Sequence, residues 1–181
     1  PAQQRLAFEE LLAHQLALRL LRQTSRSEHA WSLRDGEQRT QQFVASLPFQ
    51  LTGAQRRALT EVARDLDAER PMARLVQGDV GCGKTVIAAA AAARAVGCGL
   101  QAALMAPTEL LAEQHARNFD GWFRPLGLPV ALLTGSQPAR TRRSALEAIA
   151  SGEIKLIVGT HALFQQGVAF QSLALTIVDE Q

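Results

Sequence analysis

The sequence predicts an α/β fold, a mainly parallel sheet flanked by helices, with a helical extension at the N-terminal side. Three observations lead there. Beyond Pro71, short apolar runs alternate with helix-length segments, the rhythm of strands joined by crossover helices. The runs are nearly continuous rather than alternating, as in strands covered on both faces. One run passes through a glycine-rich turn straight into an alanine-rich segment, a strand–turn–helix junction.

Taken in order, residues 1–23 set Leu6, Leu11, Leu12, Leu16 and Leu20 among Arg5, Glu9, Glu10, Arg19 and Arg22, a helix with a broad apolar stripe. From Thr24 to Ser46 the chain turns polar, with an Asp35-Gly36 turn signal, and reads as a linker. Residues 1–46 therefore form an extension, and a main domain over 47–181 begins near Leu47. Thr52-Gly53-Ala54-Gln55 fits a capping box, and Leu59, Val62, Ala63 and Leu66 continue that helix toward Pro71. Strands are expected at Ala73–Gln77, Ala102–Met105, Val130–Leu133, Ile154–Val158 and Leu173–Val178. Helices are expected between them over Lys84–Val96, Glu109–Phe123 and around Arg140–Ala150.

Composition narrows the classes. With 47% apolar and 20% charged residues the chain is of ordinary globular type, and no apolar run nears the roughly 20 residues a membrane span needs. No basic stretch, apolar run and small-residue cleavage site follow Pro1, so a cytoplasmic protein is expected. Cys82 and Cys98 make neither a disulfide framework nor a zinc site. A net charge of +2 does not by itself point to nucleic acid. Lys84 and Lys155 are the only lysines, the other basic residues being arginine. One of the two lies in the glycine turn, as though that position requires an ammonium.

Gly78-Asp79-Val80-Gly81-Cys82-Gly83-Lys84-Thr85 fits the phosphate-binding pattern G-x-x-x-x-G-K-[ST]. Glycines let backbone N–H groups approach phosphate oxygens, and the helix N-terminus adds partial positive charge. Lys84 would reach the β and γ phosphates and Thr85 would ligate Mg2+. Asp179-Glu180 follows the run Leu173–Val178, so both carboxylates emerge at the carboxyl end of a strand, where parallel sheets bind ligands. Asp179 would hold Mg2+ through a water, and Glu180 would orient or deprotonate the attacking water.

Together with the segments between them, these motifs resemble the first RecA-like lobe of superfamily 2 helicases, a P-loop NTPase fold. Leu51-Thr52-Gly53-Ala54-Gln55 looks like the family's glutamine motif, which implies that Gln55 reads adenine, with Phe49 as a stacking aromatic. Gln55 could equally close only the capping box on Thr52. Ala106-Pro107-Thr108-Glu109-Leu110-Leu111-Ala112-Glu113-Gln114-His115 resembles the segment that grips a nucleic-acid backbone, with Pro107 and Thr108 at a helix start. Thr134-Gly135-Ser136 and Gly159-Thr160-His161-Ala162-Leu163-Phe164 resemble later strand-end motifs, which implies that Thr134, Gly135, Thr160 and His161 line the DNA path. Leu6–Leu12, Leu47-Pro48-Phe49, Gln77–Gly81 and the terminal Asp179-Glu180-Gln181 are similar to bacterial RecG helicases along essentially the whole chain. That likeness implies ATP and Mg2+ as cofactors and branched DNA, at stalled forks and Holliday junctions, as substrate. It implies as partners a wedge domain before Pro1 and a second RecA-like lobe after Gln181, in a bacterial, nucleoid-associated setting. The chain alone is then expected to bind nucleotide without turning it over, since the second lobe would bring the arginine finger. Cys82 departs from the small Ser or Ala more usual at its position and places a thiol against the phosphates. A transcription-repair coupling factor, a PriA-like motor, another P-loop NTPase such as a kinase or GTPase, and a non-catalytic module with a vestigial loop stay open as alternatives.

Overall fold

A computed structural model of the chain describes residues 29–79 and 81–179, together with Phe8, Leu11, Leu12 and Gln15. Apart from those four positions, the helix expected over residues 1–23 lies outside the described residues. Four strands form the sheet: β1 (Gln101–Met105), β2 (Val130–Leu133), β3 (Leu156–Gly159) and β4 (Leu173–Val178). Their spatial order is β2-β3-β1-β4, and every pairing is parallel. Such a sheet needs crossover helices. Two are α4 (Glu109–Phe123) between β1 and β2 and α5 (Ala139–Ala150) between β2 and β3, while α3 (Lys84–Gly97) leads into β1. Two further helices, α1 (Glu37–Ser46) and α2 (Gly53–Leu66), precede them.

Strand alternation divides the core. Ala102, Leu104, Leu156 and Val158 point into one cluster with α1 to α4, whereas Ala103, Ala131, Leu133 and Ile157 point into a second with Ile149 of α5. Both faces are therefore covered, as the continuous apolar runs require. Gln101 is the polar exception in β1, fully buried and fully employed. Its Nε2 donates to the carbonyls of Ile149 at 2.8 Å and Ile154 at 2.9 Å, while its Oε1 accepts from Ser172 N at 3.0 Å.

Helix α3 forms the centre. Its run Ala88–Ala93 has the strongest helix propensity available, and small side chains let the sheet on one side and α1 and α2 on the other approach closely. At the 3-10 turn Arg34–Gly36, a Cβ on Gly36 would run into the Arg94 carbonyl. Arg94 itself is buried and pairs with Glu37 of α1 and, at 2.7 Å, with Asp67 beyond α2. Desolvation works against the charged guanidinium, but the bonds to Glu37 and Asp67 outweigh it and raise its pKa.

Two sequence expectations fail here. The supposed linker holds α1, whose Phe43 is fully buried and stacks on Phe123 with ring centroids 4.8 Å apart. The helix stops at Ser46 because Leu47 precedes Pro48 and takes extended geometry (φ −67, ψ 140). Nor does Ala73–Gln77 join the sheet. Among the described residues it has no ladder partner, and β4 pairs with β1 alone. Arg74 is drawn to α2 by Asp65 at 2.6 Å and Glu61 at 2.7 Å, while Leu75 stays exposed. A short segment with apolar residues becomes a strand only where an edge lies within hydrogen-bond reach. Among the described residues no helix is long and apolar enough to cross a membrane.

Candidate functional site

The glycine turn sits where the ladder directions demand. The C-terminus of α3 leads through Gly99 and Leu100 into the start of β1, so its N-terminus, Lys84, lies toward the carboxyl edge of the sheet. Gly81 and Gly83 take positive φ, +83° and +84°, values that a side chain would strain. Gly83 is the N-cap of α3 and passes so near Gln55 Nε2 that a Cβ would displace that side chain. At Gly78 a Cβ would lie 2.6 Å from Cys82 Sγ. Lys84 Nζ folds back into the turn, donating to the carbonyls of Gly78 at 2.7 Å and Asp79 at 3.1 Å. The cradle is thus lined by backbone and one ammonium, and Thr85 follows in the first turn of α3, which fits a phosphate with its Mg2+. Val80 lies outside the described residues.

The hydrogen bonds of Gln55 show the capping-box role and a second tie, to the phosphate turn. Oε1 accepts from Thr52 N at 2.9 Å and Thr52 Oγ1 accepts from Gln55 N at 3.2 Å, completing the capping box of α2. Its Nε2 donates to Cys82 O at 2.8 Å, tying α2 to the phosphate turn. Phe49, nearly half exposed, lines an open pocket of about 380 Å³ with Leu47, Pro48, Leu51 and Arg56.

Asp179 ends β4. Its N–H bonds to Met105 O at 2.9 Å, continuing the ladder to β1. The carboxylate meets His115 of α4, with Nε2 to Oδ2 at 2.7 Å, and no hydrogen bond or ion pair joins it to Lys84 or Thr85 among the described residues. Glu180 lies outside the described residues. In the sequence His115 stands at the end of the backbone-gripping segment Ala106–His115 and has no individual role. It occupies one position of the buried face Ala112, His115, Phe119, Phe123, and a histidine in such a stripe was the available signal.

Three other strand-end loops leave the same carboxyl edge. Thr108 caps α4 through Leu111 N at 3.3 Å and remains exposed beside exposed Pro107. Glu109 reaches across to the loop after β2, accepting from Ser136 Oγ at 2.6 Å and Ser136 N at 3.0 Å. Those two bonds hold the Glu109 carboxyl below the usual carboxylate range, with a smaller contribution from His161 of the loop after β3. Gly135 and His161 are exposed, whereas Thr134 and Thr160 are buried. Thr160 Oγ1 accepts from Ala162 N at 3.4 Å. The two threonines thus shape their loops, and the surface they offer is that of their neighbours. Sequence reading missed Glu109 as the tie between loops because nothing local marks its partner.

Comparison with known proteins agrees with this architecture. The family model described as DEAD/DEAH box helicase matches residues 52–181. The chain is 55% identical over its full length to the ATP-dependent DNA helicase RecG of Escherichia coli K12, and 45% identical over 99% of its length to RecG of Bacillus subtilis 168. It spans about a quarter of the length of these curated relatives, 26% in each case. Among solved structures, RecG bound to a three-way DNA junction superposes with a TM-score of 0.89 at 40% identity, over 98% of this chain and 24% of that one. A hypothetical ATP-dependent RNA helicase from Sulfolobus tokodaii shares the fold, with a TM-score of 0.57 at 20% identity over 78% of this chain and 40% of that one. A phosphate turn at the start of α3, a carboxylate at the end of β4 and a family model covering 52–181 lead to one conclusion: the chain belongs to the DEAD/DEAH box helicase family.

Proposed function

We infer that the chain is the first ATP-binding lobe, residues 47–181 with the extension 1–46, of a bacterial cytoplasmic DNA helicase that remodels branched DNA such as stalled forks and Holliday junctions. In the full-length protein a second lobe would complete hydrolysis and a wedge domain would hold the junction. One observation supports this above all. The phosphate turn, Asp179 and the loops bearing Thr108, Gly135 and His161 share one edge of the sheet. Similarity to RecG over the whole chain supports DNA as the polymer moved.

Bound ATP with Mg2+ supplies a phosphoryl group that can pass to water. The residues divide the remaining work. Backbone N–H groups from Gly81 to Thr85 cradle phosphate, and Lys84 exchanges its carbonyl partners for phosphate oxygens. Thr85 and Asp179 would hold the metal, and Glu180 would orient or deprotonate the attacking water. Gln55 has a second amide hydrogen beyond the one on Cys82 O, free to meet adenine beside Phe49. The Thr108 hydroxyl accepts from Leu111 N and still has its own hydrogen to donate to a DNA phosphate.

Lys84→Ala in the full-length protein tests the assignment. ATP hydrolysis and junction unwinding should vanish while branched-DNA binding persists, measured by phosphate release and gel shift. Hydrolysis that survives would overturn the role of the turn. Loss of DNA binding in a folded variant would overturn the division of labour.

A further inference from the structure

We propose that His115 is a positioning residue that fixes the metal-binding carboxylate of Asp179 to helix α4, and so joins the Mg2+ site to the helix whose N-terminus faces DNA. This rests on the function inferred above. The ladder bond from Asp179 N to Met105 O sets the backbone of Asp179, but it leaves the carboxylate free to rotate. The His115 bond, 2.7 Å to Oδ2, removes that freedom and leaves Oδ1 for a metal-bound water.

The surroundings make the bond more than an incidental contact. His115 is only 8% exposed on a face otherwise made of Ala112, Phe119 and Phe123. A carboxylate only accepts, so Nε2 donates. Nδ1 is then left buried with no partner among the described residues. A buried polar atom without a partner is a standing cost that an apolar residue in the same stripe would not bear. The fold tolerates an orphaned nitrogen at this position to have its twin on Asp179. Partners of this kind orient metal-binding carboxylates, and their removal typically weakens metal binding by about 10- to 100-fold.

The second half of the inference follows from α4 as a rigid rod. Thr108 caps the helix and His115 lies seven residues on, about 10 Å at the helical rise. Glu109, in the first turn, is tied to Ser136 in the next loop. A shift of the helix end that meets DNA therefore moves His115, and through it the carboxylate.

Two amides separate this role from mere packing. In the full-length protein, His115→Gln places its amide nitrogen near the Nε2 position, whereas the amide of His115→Asn falls at the Nδ1 position, short of Asp179. Fluorescent ADP is titrated with and without Mg2+, and ATPase is followed with and without a DNA fork. His115→Asn should need about 10- to 100-fold more Mg2+ to tighten ADP, with metal-free ADP binding unchanged and stimulation by DNA reduced. His115→Gln should restore both. Equal behaviour of the two variants, or an unaltered Mg2+ requirement in His115→Asn, overturns the proposal. Unfolding of His115→Asn assigns the bond to stability and overturns it too. Asp179→Asn serves as the control: if Mg2+ still tightens ADP there, the assignment of Asp179 to the metal falls. If that effect is lost in Asp179→Asn and intact in His115→Asn, only the positioning role falls.

Discussion

Gln55 serves two structures with one amide, and two substitutions can separate them. In Gln55→Glu the carboxylate still accepts from Thr52 N, a bond of 2.9 Å in the parent, and adds a negative charge at the start of α2 worth about 0.3–1 kcal/mol. The donor to Cys82 O, at 2.8 Å, is lost and an acceptor faces that carbonyl instead, costing about 0.5–1.5 kcal/mol. The two effects nearly cancel, so stability should stay within about 1 kcal/mol of the parent. Gln55→Ala loses both bonds with no compensating charge, and should be destabilised by about 1–2.5 kcal/mol. Nucleotide affinity separates differently. Both variants release the phosphate turn from α2, and if that tether preorganises the turn, each should bind ADP about 2- to 13-fold more weakly. Urea denaturation supplies the stabilities and fluorescent-ADP titration the affinities. Parent-like affinity in Gln55→Glu would refute the tether, and equal loss of stability in both variants would refute the separation.

Two further predictions concern the outer helix layer. Phe43→Ala removes a fully buried ring stacked on Phe123 and edge-on to Trp122, and should cost about 3–5 kcal/mol in urea denaturation. A loss under about 1 kcal/mol would mean that α1 does not dock as described. Glu37 is held below its ordinary value of 4.5 by its bond to Arg94, against a smaller desolvation effect. A depressed folded-state value means a contribution fully present above 4.5 and lost as pH falls through the depressed value. Acid should therefore destabilise the parent more than Glu37→Gln below that point, and parallel stability–pH profiles would contradict the pairing.

Local chemistry made much of the fold legible. Thr52 with Gln55 and Thr108 at a helix start each announce a helix, and both helices begin there. The apolar runs Val130–Leu133 and Leu173–Val178 are the observed strands. Helix α1 was hidden because Glu37–Ser46 offers Phe43 with little else apolar, so no repeating stripe exists to be read. Its partners Trp122 and Phe123 lie on another helix. Ala73–Gln77 erred in the other direction, since strand-like composition cannot say whether an edge is available.

The candidate site divides along the same line. Gly78, Gly83, Lys84 and Thr85 act within one turn of backbone, where torsional freedom, an ammonium and a helix start are properties of neighbouring residues, so sequence alone determined them. His115 with Asp179, 64 positions apart, and Glu109 with Ser136, 27 apart, are contacts between elements. No spacing rule reaches that far. Only the tertiary fold, in which the parallel order β2-β3-β1-β4 sets the ends of β1 and β4 side by side and α4 leaves from the end of β1, decided which histidine would meet the carboxylate.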